Sequence, residues 1–196
     1  GAVWNKIVSL ARSAEHEIVL ENAYLLPNPY MTEYRALRER GVKVRALTNS
    51  LASTDEVPVN AHYSRFRRRM IELGVELYEM KPWAASRELY IAGASTSKAH
   101  LGLHGKVAVF DRKTVFVGSF NLDPRSARLN TEMGVVLDSP AMASRLSSLF
   151  DREIPRTQYE VRLSQDDSGV EWVEPVNGGE VIHRSSPETG RLRRAW

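Results

Sequence analysis

The sequence predicts an α/β fold. Helix-spaced and strand-like segments alternate three times over the first 80 residues, the pattern of a layered domain with parallel strands. Two short β-rich runs at 105–110 and 114–118, separated by three residues, add an antiparallel hairpin to that core. The chain has 196 residues, 42% hydrophobic and 26% charged, enough to bury a sizeable core.

Each element has a local reason. Val3, Ile7, Leu10 and Ala11 recur at helical spacing and predict a helix over 2–14. The run EIVLEN at 17–22 reads as a strand, broken by YLLPNP. Asn28-Pro29 is a cap and first helical residue for a helix reaching Arg40, stopped by Gly41. VKVRALT at 42–48 alternates and is β-rich. Asn60 predicts a cap for a helix over 61–73, stopped by Gly74, with a strand over 75–80 behind it. Residues 81–102 predict a long loop. After the hairpin come a short helix over 122–129, a strand over 131–137 and a helix from Ser139-Pro140 to about Arg152, with Pro155 beyond its end. The segment 156–196 predicts one strand at 158–163 and an otherwise irregular extension with a polar, poorly ordered tail. The expected division is thus a domain over 1–155 and an extension over 156–196 packed on it.

Composition narrows the function. With no cysteine, disulfides, thiol nucleophiles and cysteine metal sites are excluded. No run of about 18 apolar residues is present, so the sequence predicts no membrane span. The net charge is +3, and residues 81–139 hold 8 basic against 5 acidic side chains. That excess favours an anionic substrate there, although a solvated face gives the same count.

The chemistry concentrates in LHGKVAVFDRKTVFVGSFN, residues 103–121. His104 and Lys106 are two apart, as are Ser119 and Asn121, and side chains two apart share a strand face. If the hairpin forms, both pairs lie at one end of the sheet. The ammonium, hydroxyl and amide suit phosphate oxygens, and an imidazole can attack phosphorus or protonate a leaving oxygen. Asp111 falls in the turn, away from that convergence. An isolated H-x-K pair also describes a histidine at a strand start beside a surface lysine.

The full pattern is more specific: H-x-K, four residues, D, six residues, G-S-x-N, filled by His104, Lys106, Asp111, Gly118, Ser119 and Asn121. It closely resembles the signature of the phospholipase D superfamily. That resemblance implies a layered α/β/α domain with a mixed central sheet and helices on both faces. It implies catalysis by a phosphohistidine route with no metal or other cofactor, a structural role for Asp111, and a carboxylate, matched by Glu132, bonded to the second nitrogen of His104. The route needs two motif copies, and this sequence holds one: His16, His62, His100 and His183 lack the following lysine. The second copy is expected from another half of a longer protein or from a homodimer mate.

Residues 17–175 further resemble the C-terminal half of bacterial cardiolipin synthases and related phosphatidyltransferases. The chain's abrupt start agrees with that expectation. In such relatives the second-copy histidine is the general acid, which is the role expected of His104. The implied partners are a phospholipid substrate, the N-terminal half and the surface of a bacterial inner membrane or envelope. A single-motif homodimeric nuclease of the superfamily is the alternative, with nucleic acid as partner, and a non-catalytic lipid- or nucleic-acid-binding module is a third reading. Tyr24 and Asn49, at strand ends, and His62, near a helix start, are candidate substrate-binding residues. The helix segment RFRRRM at 65–70 is a candidate contact for anionic lipid or nucleic acid, or a solvated face.

Overall fold

The computed structural model describes residues 1–26, 31–82, 102–166 and 168–190. Its elements in chain order are α1 (Ala2–Ser13), β1 (Glu17–Asn22), α2 (Met31–Glu39), β2 (Lys43–Asn49), α3 (Val57–Ser64), α4 (Arg67–Glu72) and β3 (Val75–Met80). The hairpin strands β4 (Lys106–Phe110) and β5 (Thr114–Gly118) follow, then α5 (Pro124–Arg128), β6 (Gly134–Asp138) and α6 (Pro140–Ser148). A π-helical turn (Leu149–Glu153) leads into α7 (Ile154–Thr157), β7 (Tyr159–Leu163), β8 (Val170–Val176) and β9 (Gly179–His183).

The strands form one mixed sheet in the order β6-β5-β4-β1-β2-β3-β7-β8-β9. β1, β2 and β3 run parallel, and the remaining neighbours pair antiparallel. The inner strands are apolar on both faces because both faces are covered. On one side Ile7, Tyr34, Leu37, Tyr63 and Met70 from α1 to α4 pack on Ile18, Leu20, Val44, Leu77, Phe110 and Phe116. On the other, Ala143, Phe150 and Ile154 pack on Val19, Leu47, Tyr78, Val109 and Val115. The layered α/β/α arrangement with a mixed sheet is therefore present.

Three local expectations change, and two others are untested. The Asn28-Pro29 start of α2 and most of the 81–102 loop lie outside the described residues. The helix foreseen over 61–73 is two helices and starts earlier, with Pro58 in its first turn, where proline is tolerated. Asn60 lies inside α3, where its amide donates to Asn49 O (3.2 Å) and accepts from Arg67 (3.3 Å). The chain breaks at Arg65-Phe66, and Arg67 turns inward to meet buried Glu79 (Nε to Oε1, 2.6 Å). Pro155 does not end the last helix, because the π-helical turn resets the register and places it in the first turn of α7.

The largest difference is in 156–196. Beyond β7, the segment expected to be irregular carries β8 and β9, and β7 joins β3 edge to edge (Leu77↔Val161, Glu79↔Tyr159). The extension thus continues the sheet. Asn177-Gly178 turns β8 into β9, with Gly178 at φ +90, so the two-residue hairpin signal was present in the sequence.

Candidate active site

The hairpin carries the motif. Asp111 and Arg112, the central residues of the β-turn that opens the three-residue connection, both adopt left-handed φ (51° and 53°), and Lys113 N donates to Phe110 O (3.0 Å). Val107↔Val117 pairing brings Lys106 to the same sheet end as Gly118 and Ser119. Gly118 is needed for close approach: a Cβ there would lie 2.4 Å from Met133 O and 2.8 Å from Gly134 Cα. Without it β6 could not pair at Gly118↔Gly134.

At that end, the Lys106 side chain is buried and its Nζ donates to His104 O (2.8 Å). Burial drives the Lys106 ammonium below its ordinary range, against the opposing pull of Glu132, Asp55 and Asp123. His104 is exposed and precedes β4. The Asn121 side-chain oxygen is buried with no hydrogen-bond partner among the described residues, an unspent polar group of the kind that marks a ligand position. Ser119 is exposed; its hydroxyl donates to Glu132 Oε2 and accepts from Met133 N (3.1 Å).

Glu132 departs from expectation. β6 begins at Gly134, so Glu132 lies in the connection before the strand. Its carboxylate accepts from Ser119 and from the Asn130 amide (3.1 Å), not from the His104 ring. The backbone bond from Ser119 N to Met133 O (2.9 Å) holds Glu132 against Ser119. Burial raises the Glu132 carboxyl, but hydrogen bonds from Ser119, Ser126 and Asn130 and the Lys106 charge outweigh it and hold the group below its usual range.

Asp111 lies at the opposite end of β4, about 17 Å from Lys106 at the rise of a strand. Its carboxylate accepts from the backbone N–H groups of Glu15 (2.9 Å), His16 (2.8 Å) and Glu17 (2.9 Å). It therefore ties the hairpin turn to the start of β1.

Of the other candidates, Tyr24 is near the site: its hydroxyl donates to Asp55 (3.1 Å), one of the acids acting on Lys106. Burial, then Asp55, Glu56 and Asp123, push the Tyr24 phenol up to about 12. Asn49 is spent on structure. Its Nδ2 donates to Leu103 O (2.9 Å) and Ala23 O (3.3 Å), and its Oδ1 accepts from Leu103 N (2.8 Å). It clamps the residue before His104 and has no donor left for a ligand. His62 is exposed and packs on Phe66, ring centroids 5.4 Å apart. The RFRRRM segment is not a basic face: Arg67 is buried on Glu79, and Arg68 and Arg69 pair with Glu72 (2.9 and 3.1 Å).

Sequence reasoning missed Asn22, the counterpart of Asn49. Its Nδ2 donates to Phe120 O (3.2 Å) and its Oδ1 accepts from Leu122 N (3.1 Å), fixing both neighbours of Asn121. The sequence shows only an asparagine closing each of two strand-like runs, at 22 and 49, and that does not reveal what either amide binds. Asp55 and Asp123 carried none. Among the described residues no group of three or more His, Asp or Glu side chains is arranged to hold a metal ion.

Fold and site together define a class: an α/β domain that gathers an imidazole, an ammonium, a hydroxyl and an amide at one end of a mixed sheet. The family described as "Cardiolipin synthase, PLD-like domain" matches residues 7–154. The chain belongs to this phospholipase D-like family. It is 35% identical over 193 residues to cardiolipin synthase C of Escherichia coli, covering 96% of this chain and 40% of that protein. Cardiolipin synthase A of Pseudomonas aeruginosa is 29% identical over 147 residues, covering 74% and 26%. The chain thus spans well under half the length of these relatives. Among solved structures, Nuc, a phospholipase D family member from Salmonella typhimurium, superposes with a TM-score of 0.57 at 20% identity, covering 81% of this chain and 90% of that one. NucT from Helicobacter pylori gives 0.59 at 16% identity, covering 80% and 90%. Both share the fold.

Proposed function

We propose that this chain supplies one half-site of a phosphatidyl transfer of cardiolipin synthase type. The observation that supports it best is the gathering of His104, Lys106, Ser119 and Asn121 at one end of the sheet. A phosphodiester seated there meets the Lys106 ammonium and the Asn121 amide N–H at its non-bridging oxygens, which spreads the charge that develops in the transition state. The companion half supplies a second imidazole. That imidazole attacks phosphorus, forming a P–N bond as the P–O bond to the leaving alcohol breaks. His104 gives its proton to the departing alkoxide, then takes one from the acceptor alcohol as that oxygen displaces the phosphohistidine. Glu132 supports the site through Ser119.

The substrate in this reading is a phospholipid met at a membrane surface, and the companion half belongs to the same longer protein. No described helix is long and apolar enough to cross a bilayer. Membrane contact through this chain is peripheral in this reading. The test uses the full-length protein on phospholipid vesicles with an alcohol acceptor. Transfer of the phosphatidyl group, lost in His104→Asn, with a phosphohistidine on the companion half still trapped by acid quench only from a substrate whose leaving group needs no proton, such as a 4-nitrophenyl phosphodiester, is the expected result. A dimer of this chain alone that cleaves DNA or bis(4-nitrophenyl) phosphate, with no lipid transfer by the full-length protein, would replace it with the nuclease reading.

A further inference from the structure

The proposed mechanism leaves one carboxyl beside the motif without a task. Glu21 lies near the end of β1, paired with Leu47 of β2 and Val107 of β4. Its side chain runs beneath Gly105, the residue between His104 and Lys106. A Cβ on Gly105 would lie 2.5 Å from Glu21 Oε1, 3.3 Å from Cδ and 3.6 Å from Cγ. A side chain at position 105 would have to displace the Glu21 carboxyl, so the glycine of H-G-K is what lets this carboxyl lie against the turn.

The surroundings disfavour a charge. Glu21 shares its sheet face with Val19, Leu47, Leu103 and Val109, all buried, and with partly buried Val107. Among the described residues its carboxyl makes no hydrogen bond or ion pair, and desolvation alone pushes it to about 7. The charged groups of the neighbouring elements are committed or distant. On β1, Glu17 is bound by Arg45 (2.7 Å) and Arg112 (2.5 Å). On β2, Arg45 is held by Glu17 and Asp151 (2.8 Å). β4 presents only Val107 and Val109 to this side, and Asp111 beyond them is bound to backbone. Lys106 lies on the other face, and α6, packed over β4 and β5, offers only the exposed Arg145.

We propose that Glu21 is a positioning residue for the His104–Lys106 turn: its neutral acid seats Gly105 against the sheet, and its ionised form unseats it and repels the phosphate. The inference rests on the phosphodiester reading above for its effect on turnover, though not for the titration itself. Glu21 is half-buried, and its neutral carboxyl lies against Gly105 on an apolar face. An ionised carboxylate favours fuller hydration and turns away from that place, which releases the glycine between His104 and Lys106. The negative charge also opposes a phosphodiester anion on the far side of one peptide backbone.

Three measurements on the full-length protein test this. The pH dependence of kcat/KM for a phosphodiester substrate is expected to fall with a midpoint near 7, and Glu21→Gln moves that midpoint up by about one pH unit or more. An unchanged midpoint overturns the proposal. Carboxyl-carbon NMR of Glu21 is expected to titrate near 7 with the Gly105 amide moving at the same midpoint. A carboxyl titrating in the ordinary range, or a Gly105 amide that does not follow it, overturns the proposal. Because this readout needs no turnover, absence of lipid transfer would count against the proposed function and not against Glu21. Finally, Gly105→Ala is expected to lose about 100-fold in rate, and shortening the acid in Glu21→Ser/Gly105→Ala to recover about 10-fold. No recovery would show that the contact is not what restrains the turn.

Discussion

At its turn, the β4–β5 hairpin carries Asp111 and Arg112; at its open end it carries His104, Lys106, Ser119 and Asn121. The two ends use similar polar chemistry in opposite ways. At the turn the charges close on themselves. Asp111 accepts three backbone N–H groups, while Arg112 and Arg45 share Glu17 and Asp151 in a four-membered ring of ion pairs at 2.5 to 2.8 Å. At the open end Lys106 holds only a carbonyl oxygen, the Asn121 oxygen holds nothing among the described residues, and His104 faces solvent. A group whose bonds are spent fixes geometry; a group whose bonds are open awaits a ligand. The asparagines follow the same division. Asn49 is saturated and Asn22 is bonded at both ends of its amide, and they position the segments that carry His104 and Asn121.

The contrast can be broken at either end. The largest effect is expected at the open end: His104→Asn in the full-length protein lowers kcat for phosphatidyl transfer by about 10³-fold or more. Lys106→Ala follows, at about 10²-fold, through lost stabilisation of phosphate charge. Both should leave the urea midpoint close to wild type, since neither side chain anchors another element. At the turn the sign reverses. Asp111→Ala is expected to cost about 1–3 kcal/mol in urea unfolding, because three N–H groups lose their acceptor.

The pH dependence sharpens the same point. Burial raises the Asp111 carboxyl, but the backbone hydrogen bonds from Glu15, Glu17 and His16 outweigh it and hold it below its usual range. A depressed folded value means that its contribution is complete above the unfolded carboxylate range, near 4, and is lost as pH falls through the folded value. The stability gap between wild type and Asp111→Asn should therefore be widest at neutral pH and shrink below about pH 4. Denaturant midpoints at several pH values check this; a constant gap would contradict it. The smallest effect belongs to Arg112→Ala. Its side chain is 42% exposed and its ion pairs are screened, so a loss of about 0–1 kcal/mol is expected, falling further at high salt.

What the sequence disclosed follows from where the interactions lie. The motif was readable because its six positions occupy one hairpin, and strand geometry converts their spacing into a shared sheet end. The first three parallel strands were readable as apolar runs between helical periods. The clamps Asn22 and Asn49 were not, because their partners are 98 and 54 residues away and polar residues at strand ends carry no periodic signal. Glu132 was misassigned to the His104 ring because its direction depends on the Ser119–Met133 backbone pairing, which spacing does not reveal. The break between α3 and α4 was hidden for a similar reason: Arg67 looks like a surface residue until Glu79, Tyr63 and Trp172 enclose it. The β8–β9 hairpin is different. Its Asn-Gly turn was in plain view and was outweighed by the polar composition around it.

The position of β4 between β5 and β1 also governs when the site comes into being. β1 first meets β2, its near neighbour in the chain, whereas its other edge stays open until β4 arrives from far downstream. Loop-closure entropy makes that second pairing the slower event. During synthesis the parallel core can therefore assemble while His104, Lys106, Ser119 and Asn121 are still inside the ribosome. These residues come together only after Leu122 has emerged and reached Asn22, so the gathering of the motif trails compactness.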